Sequence, residues 1–322
     1  MESGFVMVVV IVSIGLLAMA ASTFAKVTRT QVRASAIAVE TARANALAAA
    51  GINLGVLKLL SFRSHPTGKE RDFALGAQPF RCRIGNDVLV TAAVDEGGKI
   101  DLNFAGERLL RALLIGLDVE PAKAEALVDA ILDYRDGDDV KRPKGAEQAD
   151  YLAAGRLEGP KNAPFAATEE LSQVFGLDPE LLAKVTPFVT THSGKEGVDP
   201  AVVQRRLKEI LRRGDAAIPS VDTNLDLLFE DRSIDLPPAF VAHSTKNIFT
   251  VRTDVLTTSG VRFALEAVVD LTPSRPNGPL GSQDNRPVYH LWRWRRVPST
   301  DPEAAIVIPT DAVSECELFS PV

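Results

Sequence analysis

From Phe5 to Ala25 the chain carries no charged side chain. A helix in a soluble core is apolar on one face and polar on the other, whereas this run is apolar all round. At 1.5 Å per residue, its roughly 20 residues cover the hydrocarbon core of a bilayer. Lys26, Arg29 and Arg33 close the segment with side chains that seek headgroups. The helical period then continues. Val32, Ala36, Val39, Ala46, Ala50, Leu54 and Leu57 recur at spacings near three or four or their multiples, with Arg29, Arg33, Glu40 and Arg43 on another face. No proline interrupts before Pro66. The pattern predicts one helix from about Phe5 to Leu60, on the order of 80 Å long. Residues Ala48 to Gly55 are rich in Ala and Gly and leave a smooth surface for close packing.

Beyond residue 62 the pattern changes to a mixed head. Residues 63–78 are polar, with Pro66 and Gly68, and read as a loop. Pro79 to Ile84 and Val88 to Val94 predict two strands around Gly85-Asn86-Asp87, and Lys99 to Asn103 a short extended piece. Helical spacing returns in Gly106 to Ile115. It recurs in a helix opening near Pro121, whose apolar face is Ala124, Leu127, Val128, Ile131 and Leu132. Asp133 to Asp139 breaks that helix. Thr168 reads as the N-cap of a helix–turn–helix pair around Gly176, with Leu171, Val174, Leu177, Leu181 and Val185 facing inward. A further helix carries Val203, Leu207, Ile210 and Leu211 against Arg205, Arg206, Lys208, Arg212 and Arg213. After a Pro- and Asp-rich stretch, residues 247–256 and 261–271 predict a hairpin, and Val288 to Val297 a last strand. The fold class is α+β, with helices inserted between strands of one antiparallel sheet. Residues 63–104 form the first part of the sheet domain and 105–214 the inserted helical domain. Residues 215–246 form a linker, 247–297 the remaining strands, and 298–322 a C-terminal tail.

Charge and composition narrow the chemistry. The net charge of −6 over 322 residues gives no global reason for a nucleic-acid partner. There is no CxxC or HExxH, and His65, His192, His243 and His290 lie in unrelated stretches, which argues against a zinc site and against catalysis. Cys82 and Cys316 are far apart in sequence, and a disulfide and two free thiols both fit. Asp133, Asp136, Asp138 and Asp139, with Glu147, offer the oxygen ligands that a hard cation such as calcium requires. Arg135, Lys141, Arg142 and Lys144 would equally neutralise them as a solvated charge run. The Thr168–Val189 pair has the outline of a helix-hairpin-helix. Its acidic connection Asp178-Pro179-Glu180 repels phosphate and favours protein packing. On the last strand, alternation would place Trp292, Trp294 and Arg296 on one face, the Trp packing on the core, with Arg293 and Arg295 pairing with carboxylates on the other.

Two sets of residues carry a family resemblance. At the N-terminus, Met-Glu-Ser-Gly4 precedes Phe5 with no basic region, and no A-x-A-like site follows the apolar run. This resembles a type IV prepilin signal, which implies cleavage by prepilin peptidase between Gly4 and Phe5, with residues 1–4 as leader, 5–25 as a retained membrane helix and 26–62 as its periplasmic continuation. The fifth residue after that cut is Val9, where most such subunits have Glu. In the head, Asp95 to Asn103 (DEGGKIDLN), Ala130 to Tyr134 with its acidic continuation, Gly145 to Glu147 with Tyr151, Pro160 to Phe165, Glu170 to Leu177, and Leu182 with Thr186 to Thr190 are similar to the type II secretion minor pseudopilin K family, also called general secretion pathway protein K. The resemblance covers about Phe5 to Thr191 and fades where an Asn-rich segment would be expected.

The resemblance implies a pilin-like antiparallel sheet carrying a large SAM-like or helix-hairpin-helix-like domain, and no enzyme activity. It places the chain in the inner membrane as a single-pass protein with its bulk in the periplasm. It then implies a cap at the tip of a short pseudopilus, helping to initiate its assembly. The implied partners are the minor pseudopilins I and J, the major pseudopilin and prepilin peptidase, with no nucleic acid. It also implies calcium in the head without fixing the ligands. The Lys26–Arg33 flank would by charge counting stay cytoplasmic, but a downstream region of this length translocates largely regardless of charge. A start upstream of Met1 with a basic leader would remove that tension, and the mass of the intact precursor decides it. A competence-type nucleic-acid receptor and a membrane-anchored enzyme are the alternative classes.

Overall fold

The computed structural model describes residues 3–68, 70–76, 78–218, 236–272, 288–299 and Cys316. Most of the expected linker (219–235), the loop at 273–287 and the tail apart from Pro298, Ser299 and Cys316 lie outside that set. Gly4, Phe5 and Val9 fall within the first helix, but their side chains lie outside it too.

One helix, α1, runs without a break from Ser3 to Ser64. Where its side chains are described, its N-terminal half is exposed all round, and its C-terminal half is half-buried. Ala44, Ala48, Ile52, Leu59 and Phe62 face a five-stranded antiparallel sheet. The strands are β1 (Phe80–Ile84), β2 (Asp87–Asp95), β5 (Ile248–Leu256), β6 (Arg262–Asp270) and β7 (His290–Val297), in the order β1-β2-β5-β6-β7. The small residues of α1 set the distance of approach. A Cβ on Gly51 would lie 2.4 Å from Thr253 Cγ2, and one on Gly55 would lie 2.8 Å from Val251 Cγ1. Beneath Gly51 the Thr91 and Thr253 hydroxyls bond to each other at 2.9 Å, which satisfies both in a dry interface. Alternation along β5 buries Phe249, Val251, Thr253 and Val255 against the helix. A short helix, α2 (Arg71–Ala74), covers β1 through a Phe73–Phe80 edge contact.

β2 and β5 are neighbours in the sheet but far apart in sequence, and the second layer of structure occupies that interval. It contains α3 (Glu107–Gly116), α4 (Pro121–Arg135), α5 (Gln148–Ala153), α6 (Pro179–Val185) and α7 (Arg205–Ala216). A two-residue parallel pairing joins β3 (Ile100–Asp101) to β4 (Val189–Thr190). These helices close around their own core, with Leu110, Leu113, Tyr134, Phe165, Leu207 and Phe240 among its buried members.

Three local expectations are corrected. Thr168 is not an N-cap: residues Thr168–Gln173 form a 3-10 turn whose cap position is Ala167, so only α6 in that pair is an α-helix. α4 does not stop before Asp133 but continues to Arg135, which puts Asp133 on the helix and leaves Asp136 as its C-cap. The Trp residues do not pack on the core. Trp292 and Trp294 are 48% and 43% exposed. A bulge opposite Val268/Val269 takes Trp292 out of the simple alternation. The Arg partners are as expected, with Arg295 on Glu266 at 2.8 Å and both Arg293 and Arg295 on Glu169.

Candidate functional site

The acidic residues converge at the C-terminal end of α4. Asp133 is fully buried and accepts from the Arg142 backbone N–H at 3.3 Å, and the Arg142 guanidinium stands 3.4 Å away. Gly145 makes this possible, because a Cβ there would lie 1.9 Å from Asp133 Oδ2. Glu147 enters from the start of α5, where its N–H donates to Asp150 at 3.0 Å. It is only 7% exposed, and among the described residues neither carboxylate oxygen has a hydrogen-bond partner. Asp136 Oδ1 is buried and unpartnered as well.

A buried carboxylate without donors is costly as an anion, so its proton is held more tightly. Burial, with Asp133, Asp136, Asp139 and Asp138 adding repulsion, pushes the Glu147 carboxyl up to about 7. Burial also raises Asp133 and Asp136 above the ordinary carboxylate range. Orphaned, anionic, oxygen-only groups of this kind suit a hard divalent cation. Asp138 and Asp139 are drawn elsewhere: Asp138 accepts from Val140 N–H at 2.9 Å, and Asp139 from Asn162 at 2.7 Å. Among the described residues no three Asp, Glu, His or Cys side chains are already grouped as a metal cluster. The loop would therefore have to tighten around an ion.

The second group is the joint between sheet and helices, whose role sequence reading missed. Asp95-Glu96-Gly97-Gly98 ends β2 with a buried turn. Glu96 is buried, and it accepts from Lys99 Nζ at 2.6 Å, from Thr250 Oγ1 at 2.7 Å and from Thr190. Burial opposes its charge, but Lys99 and these hydrogen bonds prevail and hold its pKa below the usual value. Asp95 accepts from Gly97 N–H and Ser244 Oγ at 2.8 Å each, and burial with nearby Asp199 raises it. Both glycines are required, since a Cβ on Gly97 would meet Ser244 at 2.5 Å and one on Gly98 would meet the Val202 carbonyl at 2.7 Å. His192 meets Trp292 across the same joint, with ring centroids 5.1 Å apart and the planes tilted by 54°. The spacing DEGG was legible; that it fastens two modules was not.

Cys82 on β1 and Cys316 form a disulfide, and Cys316 N–H donates to Arg83 O at 2.9 Å, which pins the tail to the outer edge of the sheet. At the other extreme, α1 is long and apolar enough to cross a membrane, and its apolar window is unburied by the rest of the chain.

Residues 90–193, which span both the joint and the acidic loop, match the family model of the type II secretion system (T2SS), protein K. A search of curated protein sequences gives no match. Among solved structures this chain is similar to GspK in the crystal structure of the GspK-GspI-GspJ complex from enterotoxigenic Escherichia coli. The identity is 19%, the match covers 84% of this chain and 99% of that one, and the TM-score is 0.57. At that identity the likeness establishes the fold: a long apolar helix, an antiparallel sheet and an added helical module, as expected from the sequence.

Proposed function

We propose that this chain is a minor pseudopilin of a type II secretion system that caps the tip of the pseudopilus and helps to start its assembly. The observation that carries this reading is the continuity of α1. One unbroken helix begins as a lipid-soluble rod and ends as the spine packed under the sheet that bears the protein K domain. Such a helix anchors the subunit in the inner membrane before assembly, with the head in the periplasm. It becomes the handle by which the subunit joins a fibre once prepilin peptidase has cut between Gly4 and Phe5.

Two features support a place at the tip. The fifth residue after the cut is Val9, so no carboxylate is offered there to the terminal amine of a subunit above. A charge buried in lipid without its partner is costly, and an acid at that position is useful only where another subunit stacks on top. The helical module interrupts the sheet and adds bulk that a stacked neighbour would have to avoid. The subunit acts by binding rather than catalysis, with the minor pseudopilins I and J as its partners. The test is co-purification of the full-length chain with those two subunits, together with N-terminal sequencing. Capture of both and a mature N-terminus at Phe5 are expected. An uncut N-terminus in cells that hold the peptidase sinks the reading.

The acidic loop, on the same reading, holds calcium, with Glu147, Asp136 and Asp133 as the ligands of choice and Asp138 and Asp139 recruited as the loop closes. A bound divalent cation supplies positive charge that offsets their repulsion. The protein's part is to bring the end of α4 and the start of α5 to one point. Calorimetric titration with calcium should show binding that Asp136→Ala and Glu147→Gln abolish. Unchanged binding in both variants would place any ion elsewhere.

A further inference from the structure

The sheet is wider than the helix that covers it. An α-helix is about 10 Å across with side chains, and strands lie about 4.8 Å apart, so one helix shields two or three strands. α1 packs on β2, β5 and β6. On one side of it, β1 is protected by α2 and by Cys316. On the other side, β7 overhangs. Leu291 pairs with Val269, Trp294 with Ala267 and Arg296 with Leu265, all three partners being residues of the face that α1 covers. Paired residues share a face, so Leu291, Trp294 and Arg296 lie on the α1 side of the sheet, yet all three are exposed. Arg296 lies over the Phe263 ring at 4.6 Å and has no carboxylate partner among the described residues, whereas Arg293 and Arg295 on the opposite face are both paired. Among the described residues no strand pairs with the outer edge of β7.

We propose that this flank of β7 is a docking face for a helix of a neighbouring pilin-like subunit. That helix lies beside α1, with apolar side chains on Leu291 and Trp294 and a carboxylate against Arg296. The width of the strip and the unmatched cation choose the occupant. Packed helices have axes about 8–10 Å apart, roughly two strand spacings, so a helix lying beside α1 would run over β7, and Arg296 at the end of that strip selects an acidic residue on it. Trp and Arg are also among the residue types enriched where interface energy concentrates, and both Trp294 and Arg296 are exposed. Trp292 is excluded from this face, because its ring already packs at a tilt against His192 in the joint. The proposal rests on the assembly role given above and specifies the surface through which it acts.

The experiment is capture of the co-expressed pseudopilins of the same secretion system by the full-length chain in detergent. The variants are Trp294→Arg, Trp294→Phe and Arg296→Glu, with Leu157→Arg as a control on the helical module, where Leu157 is 93% exposed. Capture should fall by about tenfold or more in Trp294→Arg, fall in Arg296→Glu, and stay near wild type in Trp294→Phe and Leu157→Arg. Unaltered capture by both Trp294→Arg and Arg296→Glu, while the wild type binds, overturns the docking face and leaves the assembly role standing. An equal loss in Leu157→Arg also overturns it, since the effect would not be local. No capture by the wild type overturns the assembly role, and the docking face with it.

Discussion

Glu147 sits in an environment contrary to what its type prefers, with both oxygens buried, without a hydrogen-bond partner among the described residues and facing other carboxylates. Its folded pKa of about 7 stands above the ordinary value of 4.5. A carboxyl raised on folding favours the folded state while protonated. Its contribution is therefore complete below about pH 4.5 and is lost as pH rises through about 7. Without divalent cations the head should be less stable at pH 8 than at pH 5, by up to about 3 kcal/mol from this group. Glu147→Gln should flatten that slope. Calcium should restore stability at pH 8 in the wild type and not in Glu147→Gln. Thermal melts at the two pH values with and without calcium check all of these outcomes.

At the scale of elements, the two edges of the sheet are treated differently. β1 is closed by the disulfide to Cys316, a link across 234 residues of sequence. Crosslinks over long loops act mainly by restricting the unfolded chain, so Cys82→Ser should cost about 3–5 kcal/mol and lower the thermal midpoint by roughly 10 °C. Reduction of the wild type should do the same, and a melt unchanged by reductant would show that the tail is held by other contacts. β7 is blunted by its bulge and its arginines, which are common protections of an open edge, yet it leaves Trp294 uncovered.

At the scale of the whole molecule, two separate cores are tied together by polar groups rather than by shared apolar packing. Glu96 and Asp95 hold the buried side of the joint. Glu169 holds the rim, reaching Arg293 at 2.5 Å and Arg295 at 2.6 Å. Half-exposed ion pairs contribute little to global stability, so Glu169→Ala should change it by only about 1 kcal/mol. It should instead release the helical module locally. Faster hydrogen exchange in residues 168–173 and 290–297, with exchange elsewhere unchanged, is the expected signature. Unchanged exchange there would mean that Glu96 and Asp95 suffice.

Sequence alone determined what depends on neighbours along the chain. The unbroken apolar run and its proline-free continuation gave α1, apolar runs bounded by turn residues gave β2, β5 and β6, and helically spaced apolar residues gave α3 and α4. The clustered aspartates marked the acidic loop because the residues that meet there lie within fifteen positions of each other. Tertiary structure decided what depends on distant neighbours. It placed β2 beside β5, joined Cys82 to Cys316, set Glu96 between Thr190 and Thr250, and left Trp294 overhanging the helix. Period along a chain records which side a residue faces, not which element covers that side. Burial at a strand's edge is set by the width of its partner, and no local pattern carries that width.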